Sequence, residues 1–98
     1  MQTFILLTKL SPDLASRLNN REQIGKSWLM KVKEKCPNVK FISHYAILGQ
    51  FDFLDIYEAP DIETATKVSM ISRQHGASHA ESLPAIEYKK YIDLVSDL

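Results

Sequence analysis

Three histidines, His44, His75 and His79, and a single cysteine, Cys36, are the side chains best suited to proton transfer, metal ligation or nucleophilic attack. Their spacing excludes several chemistries. No H-x-H, H-E-x-x-H or C-x-x-C pattern occurs, so a metal would need ligands gathered from scattered positions, and none is expected. Glycine occurs only at positions 25, 49 and 76, too dispersed for a phosphate cradle, and no cofactor is expected. A lone Cys36 excludes an internal disulfide. It sits at the end of a predicted helix and reads as a packed or half-exposed thiol. His75 precedes Gly76 at another predicted helix end, where a positive side chain meets the last carbonyls favourably. His44 remains, and its chemistry depends on what lies across from it.

That neighbour follows from the elements around it. Val39–Leu48 and Phe51–Glu58 are rich in aromatic and β-branched residues and flank Gly49-Gln50, a hairpin signal. With a two-residue loop His44 stands opposite Asp55, Ala46 opposite Phe53 and Ile42 opposite Tyr57, all on one face. A three-residue loop would set Tyr45 opposite Asp55 instead. The first register is preferred because it collects Phe41, Tyr45, Ile47, Leu54 and Ile56 on an apolar face suited to helices. It leaves His44, Phe53, Asp55 and Tyr57 on the other. A His–Asp pair could transfer protons, with the carboxylate holding one imidazole tautomer. It could equally be a satisfied buried pair or a contact between subunits. Candidate ligand residues are therefore His44, Tyr45, Phe53, Asp55, Tyr57 and His79, with His44 and Asp55 the only catalytic candidates. Gly49 and Asp52 read as turn residues, Asp52 bonding to turn backbone.

The remaining elements frame this hairpin. Thr3–Thr8 is a short apolar run that predicts a strand buried on both sides. Ser11-Pro12-Asp13 is a helix-start signal, predicting a short helix over 12–18. Asn20 with Gln23 has the form of a capping box and predicts a second helix over 21–36, stopped by Pro37. Its buried stripe is Ile24, Trp28, Leu29 and Val32. Gly25 lies on the same side, implying either a close backbone approach or an irregular helix. Pro60-Asp61 opens a helix to about Gln74 with Ala65, Val68 and Ser72 inward, and Gly76 lies just past its end. Ala77–Leu83 predicts a last strand. Tyr88, Tyr91, Ile92 and Val95 predict a C-terminal helix over 87–96 that docks on the body. The order βαββαβ plus a helix is the ferredoxin-like α+β arrangement, with two helices on one face of a four-stranded antiparallel sheet.

Composition narrows the function classes. The 98 residues are 45% hydrophobic and imply a single domain spanning 1–98. No segment reaches the ~20 apolar residues of a membrane span, and the N-terminus lacks signal-peptide features, so a soluble cytoplasmic protein is expected. Net charge is zero, with eight Lys/Arg against three Asp/Glu in residues 1–40 and four against nine in residues 41–98. The basic residues spread around a helix rather than forming one aromatic-interleaved face, which argues against nucleic acid. An uncovered apolar sheet face calls for a partner, and a second copy supplies one by symmetry.

Leu48-Gly49-Gln50-Phe51-Asp52, a hydrophobic strand, and then Glu58-Ala59-Pro60-Asp61 resemble the G-x-Y-D and E-A-P-D segments of the GYD domain family. Glu81-Ser82-Leu83 resembles that family's E-T-L. The resemblance covers nearly the whole chain and implies a dimeric α/β barrel, in which two ferredoxin-like sheets pack face to face. Position 51 is Phe, so no role requiring the motif's phenolic hydroxyl transfers to it. Three functions stand open: a homodimeric small-molecule-binding or regulatory module, a cofactor-independent enzyme resembling monooxygenases or isomerases of this barrel, and an assembly protein without a ligand.

Overall fold

Strand β1 (Gln2–Leu10) opens the chain, and every second side chain along it, Phe4, Leu6 and Thr8, is buried. The computed structural model describes residues 1–98. After β1 come α1 (Pro12–Ala15), a 3₁₀ turn over Leu18–Asn20, α2 (Arg21–Lys35), β2 (Lys40–Ala46), β3 (Phe53–Ala59), α3 (Ile62–Gln74), β4 (Ala77–Ala85) and α4 (Tyr88–Ser96). The four strands form one antiparallel sheet in the order β2-β3-β1-β4. Helices α2 and α3 lie across one face. This is the expected ferredoxin-like α+β fold.

Local chemistry accounts for the element ends. Ser11 caps α1 by accepting from the Leu14 N–H (3.4 Å), with Pro12 at the first helical position. Asp61 caps α3 by accepting from the Thr64 hydroxyl (2.6 Å) and the Thr64 N–H (2.8 Å), which together hold its carboxyl below the ordinary value. The capping box at Asn20 does not form, because Asn20 ends the 3₁₀ turn at φ −101°, ψ 6° rather than in the extended geometry that aims a cap side chain at the first helical N–H groups. Helix α1 ends at Ala15 rather than residue 18, because Arg17 leaves helical geometry at φ −92°, ψ 64° before the 3₁₀ turn begins.

The core lies between the helices and one sheet face. Phe4, Leu6, Tyr57 and Ala59 from the strands meet Val32 and Cys36 from the end of α2, and Ala65, Val68 and Ile71 from α3. Small residues on α3 let it sit close to the sheet, as their spacing predicts. The Tyr57 hydroxyl is buried and donates to Ser82 Oγ (2.7 Å), and burial pushes its pKa up to about 12.

Expectations about the sheet faces and about α4 are corrected. The helices cover the face bearing His44, Phe53, Asp55 and Tyr57, whereas Tyr45, Leu54 and Ile56 point to the open side. Alternation marks two faces but not which is covered, and here both are apolar enough to qualify. A bulge at Ile42 moves Phe41, not Ile42, opposite Tyr57, so Phe41 joins the covered face. The second correction concerns α4, which buries no residue against its own chain instead of docking on it.

Candidate functional site

Residue pairing in the β2–β3 hairpin sets the centre of the site. His44 lies directly opposite Asp55, and Ala46 opposite Phe53. Beyond this pair the connection is longer than two residues, with the Ile47 N–H still donating to the Asp52 carbonyl (2.9 Å). Gly49 takes φ +136°, in the region that favours glycine, and so carries the bend. Asp52 bonds to β1 rather than to turn backbone: its Oδ2 accepts from the Leu10 N–H (2.8 Å) while its own N–H donates to the Thr8 carbonyl (2.8 Å). The motif aspartate therefore clamps the hairpin end to the central strand. Gly49 and Asp52 position the site without entering it.

His44 Nδ1 is hydrogen-bonded to Asp55 Oδ1. Asp55 is 2% exposed, and its burial pushes the carboxyl pKa up, with the charge and hydrogen bond of His44 opposing that shift. The His44 side chain is 59% exposed. Its ring stacks on Phe53 (5.7 Å between centroids) and, on the α2 side, on Trp28 (6.5 Å). With Nδ1 committed to Asp55, Nε2 is the nitrogen free to meet a ligand. The pair is thus an exposed, oriented imidazole backed by a buried carboxylate.

Around it opens a cavity of about 440 Å³ between α2 and the sheet. That volume lies within the range of small-ligand sites. Trp28, Phe41 and Phe53 supply aromatic walls, and the Trp28 indole is fixed by donating to Ser72 Oγ (2.9 Å). At the α2 end the Arg21 guanidinium lies over the Phe53 ring (5.0 Å). His75 also lines the cavity, its Nδ1 donating to the Ile71 carbonyl (2.9 Å) at the end of α3. Its expected role at that helix end holds.

Of the sequence candidates, His44, Phe53 and Asp55 line the cavity together. Tyr57 lies in the core beneath them. Tyr45 and His79 project from the open face, where His79 Nε2 meets Glu81 Oε1 (2.6 Å) and the ring lies against Phe51 (5.8 Å). The sequence reading missed Arg21, Trp28 and His75 as lining groups. Trp28 and Arg21 lie one turn either side of the unexplained Gly25, and that helix glycine was the available signal.

A model of the GYD domain family matches residues 4–95. A Thermus thermophilus protein described as a glutamine synthetase and cystathionine beta-lyase binding protein is 32% identical over 87 residues, covering 88% of this chain and 90% of that protein. Among solved structures, one of a Thermus thermophilus protein superposes with a TM-score of 0.57 at 21% identity, covering 89% of this chain and 95% of that one. A hypothetical protein from Pyrococcus horikoshii does so with a TM-score of 0.54 at 18% identity, covering 89% and 92%. These two likenesses establish the fold. Residues 4–95 span all four strands, the clamp at Asp52 and the His44–Asp55 pair, and on that match the chain belongs to the GYD domain family.

Proposed function

We propose that this protein is a cytoplasmic small-molecule-binding or regulatory module, homodimeric through its open sheet face, with the ligand held between α2 and the sheet. The observation that carries this reading is the cavity itself: an aromatic enclosure into which one oriented imidazole projects. Such a mixture of apolar walls and few convergent polar groups is the usual make-up of a ligand site. A thermal-shift screen against a metabolite panel tests it, because a ligand of the native state raises apparent stability. Trp28 is the only tryptophan and lines the cavity, so its emission localises any hit. Compounds that raise Tm and perturb Trp28 emission are expected. Hits that leave the emission unchanged would place the ligand elsewhere, and a panel without hits would overturn the reading.

The relative named for binding two enzymes supports a second reading, in which the module's partner is a metabolic enzyme. In that reading the dimer surface contacts protein and the cavity has no required occupant. Co-sedimentation with purified glutamine synthetase and cystathionine beta-lyase separates the two. Complex formation unaffected by any cavity substitution would favour the protein contact alone.

A further inference from the structure

Glycine in the middle of a helix costs about 1 kcal/mol relative to alanine and needs a reason. At Gly25 packing does not supply one. A Cβ there would meet only Arg21 Nη2 at 3.7 Å, an ordinary contact. Gly25 lines the cavity, so what its missing side chain provides is open volume. The charges around that volume are uneven. Glu22 is paired with Lys26 (3.1 Å) and Asp55 with His44, whereas Arg21 forms no ion pair. Its Nη1 is closed off by the fold without a hydrogen-bond partner, while Nη2 stands 3.7 Å from where a Gly25 Cβ would be, beside the open volume. A buried guanidinium nitrogen without an acceptor is costly, and the natural acceptor is a carboxylate. Burial opposes the Arg21 charge and the nearby Asp52 favours it, yet Asp52 is turned to the Leu10 N–H and forms no ion pair with Arg21.

We propose that the cavity binds a small organic monoanion, its carboxylate received by Arg21 Nη2 and its apolar or aromatic body lying among Trp28, Phe41 and Phe53 in the space left by Gly25. This rests on the reading of the cavity as a ligand site and adds the chemical class. His44 Nε2 is the second polar group offered to such a ligand, and with Glu22 paired to Lys26 and Asp55 to His44, Arg21 is the cavity cation without an ion-pair partner. No bond is made or broken. The ligand supplies the acceptor that the fold withholds.

The test uses three probes of one shape and different charge, phenylacetate, phenylacetamide and phenethylamine, titrated at millimolar concentration while Trp28 emission and Tm are followed. Phenylacetate is expected to bind at least about tenfold more tightly than the amide, with the amine weakest. Arg21→Gln, which removes the charge and keeps a polar side chain at this half-buried position, should fold and is expected to abolish the preference for the anion. Gly25→Leu is expected to block all three probes, and Gly25→Ala to raise Tm without ligand while weakening phenylacetate. Amide or amine binding as tightly as phenylacetate would overturn the anionic class and leave the ligand site standing. No response to any probe would overturn both. An anion preference that survives Arg21→Gln would remove Arg21 from the proposal.

Discussion

His44 and Asp55 combine two roles that mutation separates. Removing the imidazole leaves a carboxylate that is 2% exposed without its partner, so His44→Ala should lower stability by about 1 to 3 kcal/mol in chemical denaturation. An unchanged midpoint would mean that water replaces the imidazole at no cost. The carboxylate also carries a pH signature. Its pKa is raised in the fold, chiefly by burial, so the folded chain holds a proton that the unfolded chain releases. The contribution to stability is greatest below the ordinary aspartate value of about 3.9 and is lost as pH rises through the raised folded value. Asp55→Asn has no such titration. The stability of the unmodified protein relative to this variant should fall with rising pH across that window and level off above it, measured by urea denaturation from about pH 3 to about pH 7. A flat difference, or one that rises, would show that the carboxylate titrates as if unburied.

Element ends are where sequence chemistry translated most directly into structure, and two glycines show how far it reaches. Gly49 and Gly76 both adopt positive φ, at +136° and +98°, and both were legible as turn or helix-end residues. Their surroundings were not. A Cβ on Gly49 would meet open space, whereas one on Gly76 would overlap the Leu14 side chain of α1. Gly49→Val should therefore lower stability by more than about 1 kcal/mol through backbone strain alone. Gly76→Ala should cost more, and adding Leu14→Ala should recover the difference. Equal losses in the two glycine variants would remove Leu14 from the argument. The pairing of His44 with Asp55 was legible for a related reason, since turn residues and strand alternation constrain register. Which face the helices cover was not legible, because Leu54, Ile56 and Tyr45 are as apolar as the side chains beneath α2. Arg21 and Trp28 also escaped notice as site residues, since helical spacing reads them as a surface charge and a core ring. Only the chain in three dimensions shows the gap between them.

At the scale of the molecule, the two faces of the sheet must be weighed together. One is covered by α2 and α3, with the cavity between α2 and the strands. The other presents Ile5, Leu7, Leu54 and Ile56 half-exposed in its centre, with Leu83 and Tyr45 more exposed toward its edges. Helix α4 adds Tyr91, Ile92, Leu94 and Val95, none of them buried. Its projection leaves a Cα radius of gyration of 14.7 Å, where a compact chain of this length would have about 13 Å. An apolar sheet and an amphipathic helix left open on one chain are complementary needs, and the proposed two-fold dimer would satisfy both at once by setting sheet on sheet and giving α4 a second surface. Multi-angle light scattering at micromolar concentration should then return about twice the 11.2 kDa chain mass. Ile56→Glu would place a charge at the centre of the sheet contact and should shift the mass toward one chain, while the cavity on the other face keeps its Trp28 emission. Truncation before Tyr88 should weaken the dimer without abolishing it, because the sheet contact remains. A single-chain mass for the unmodified protein would overturn the dimer, and a dimer indifferent to Ile56→Glu but lost on truncation would move its interface from the sheet to α4.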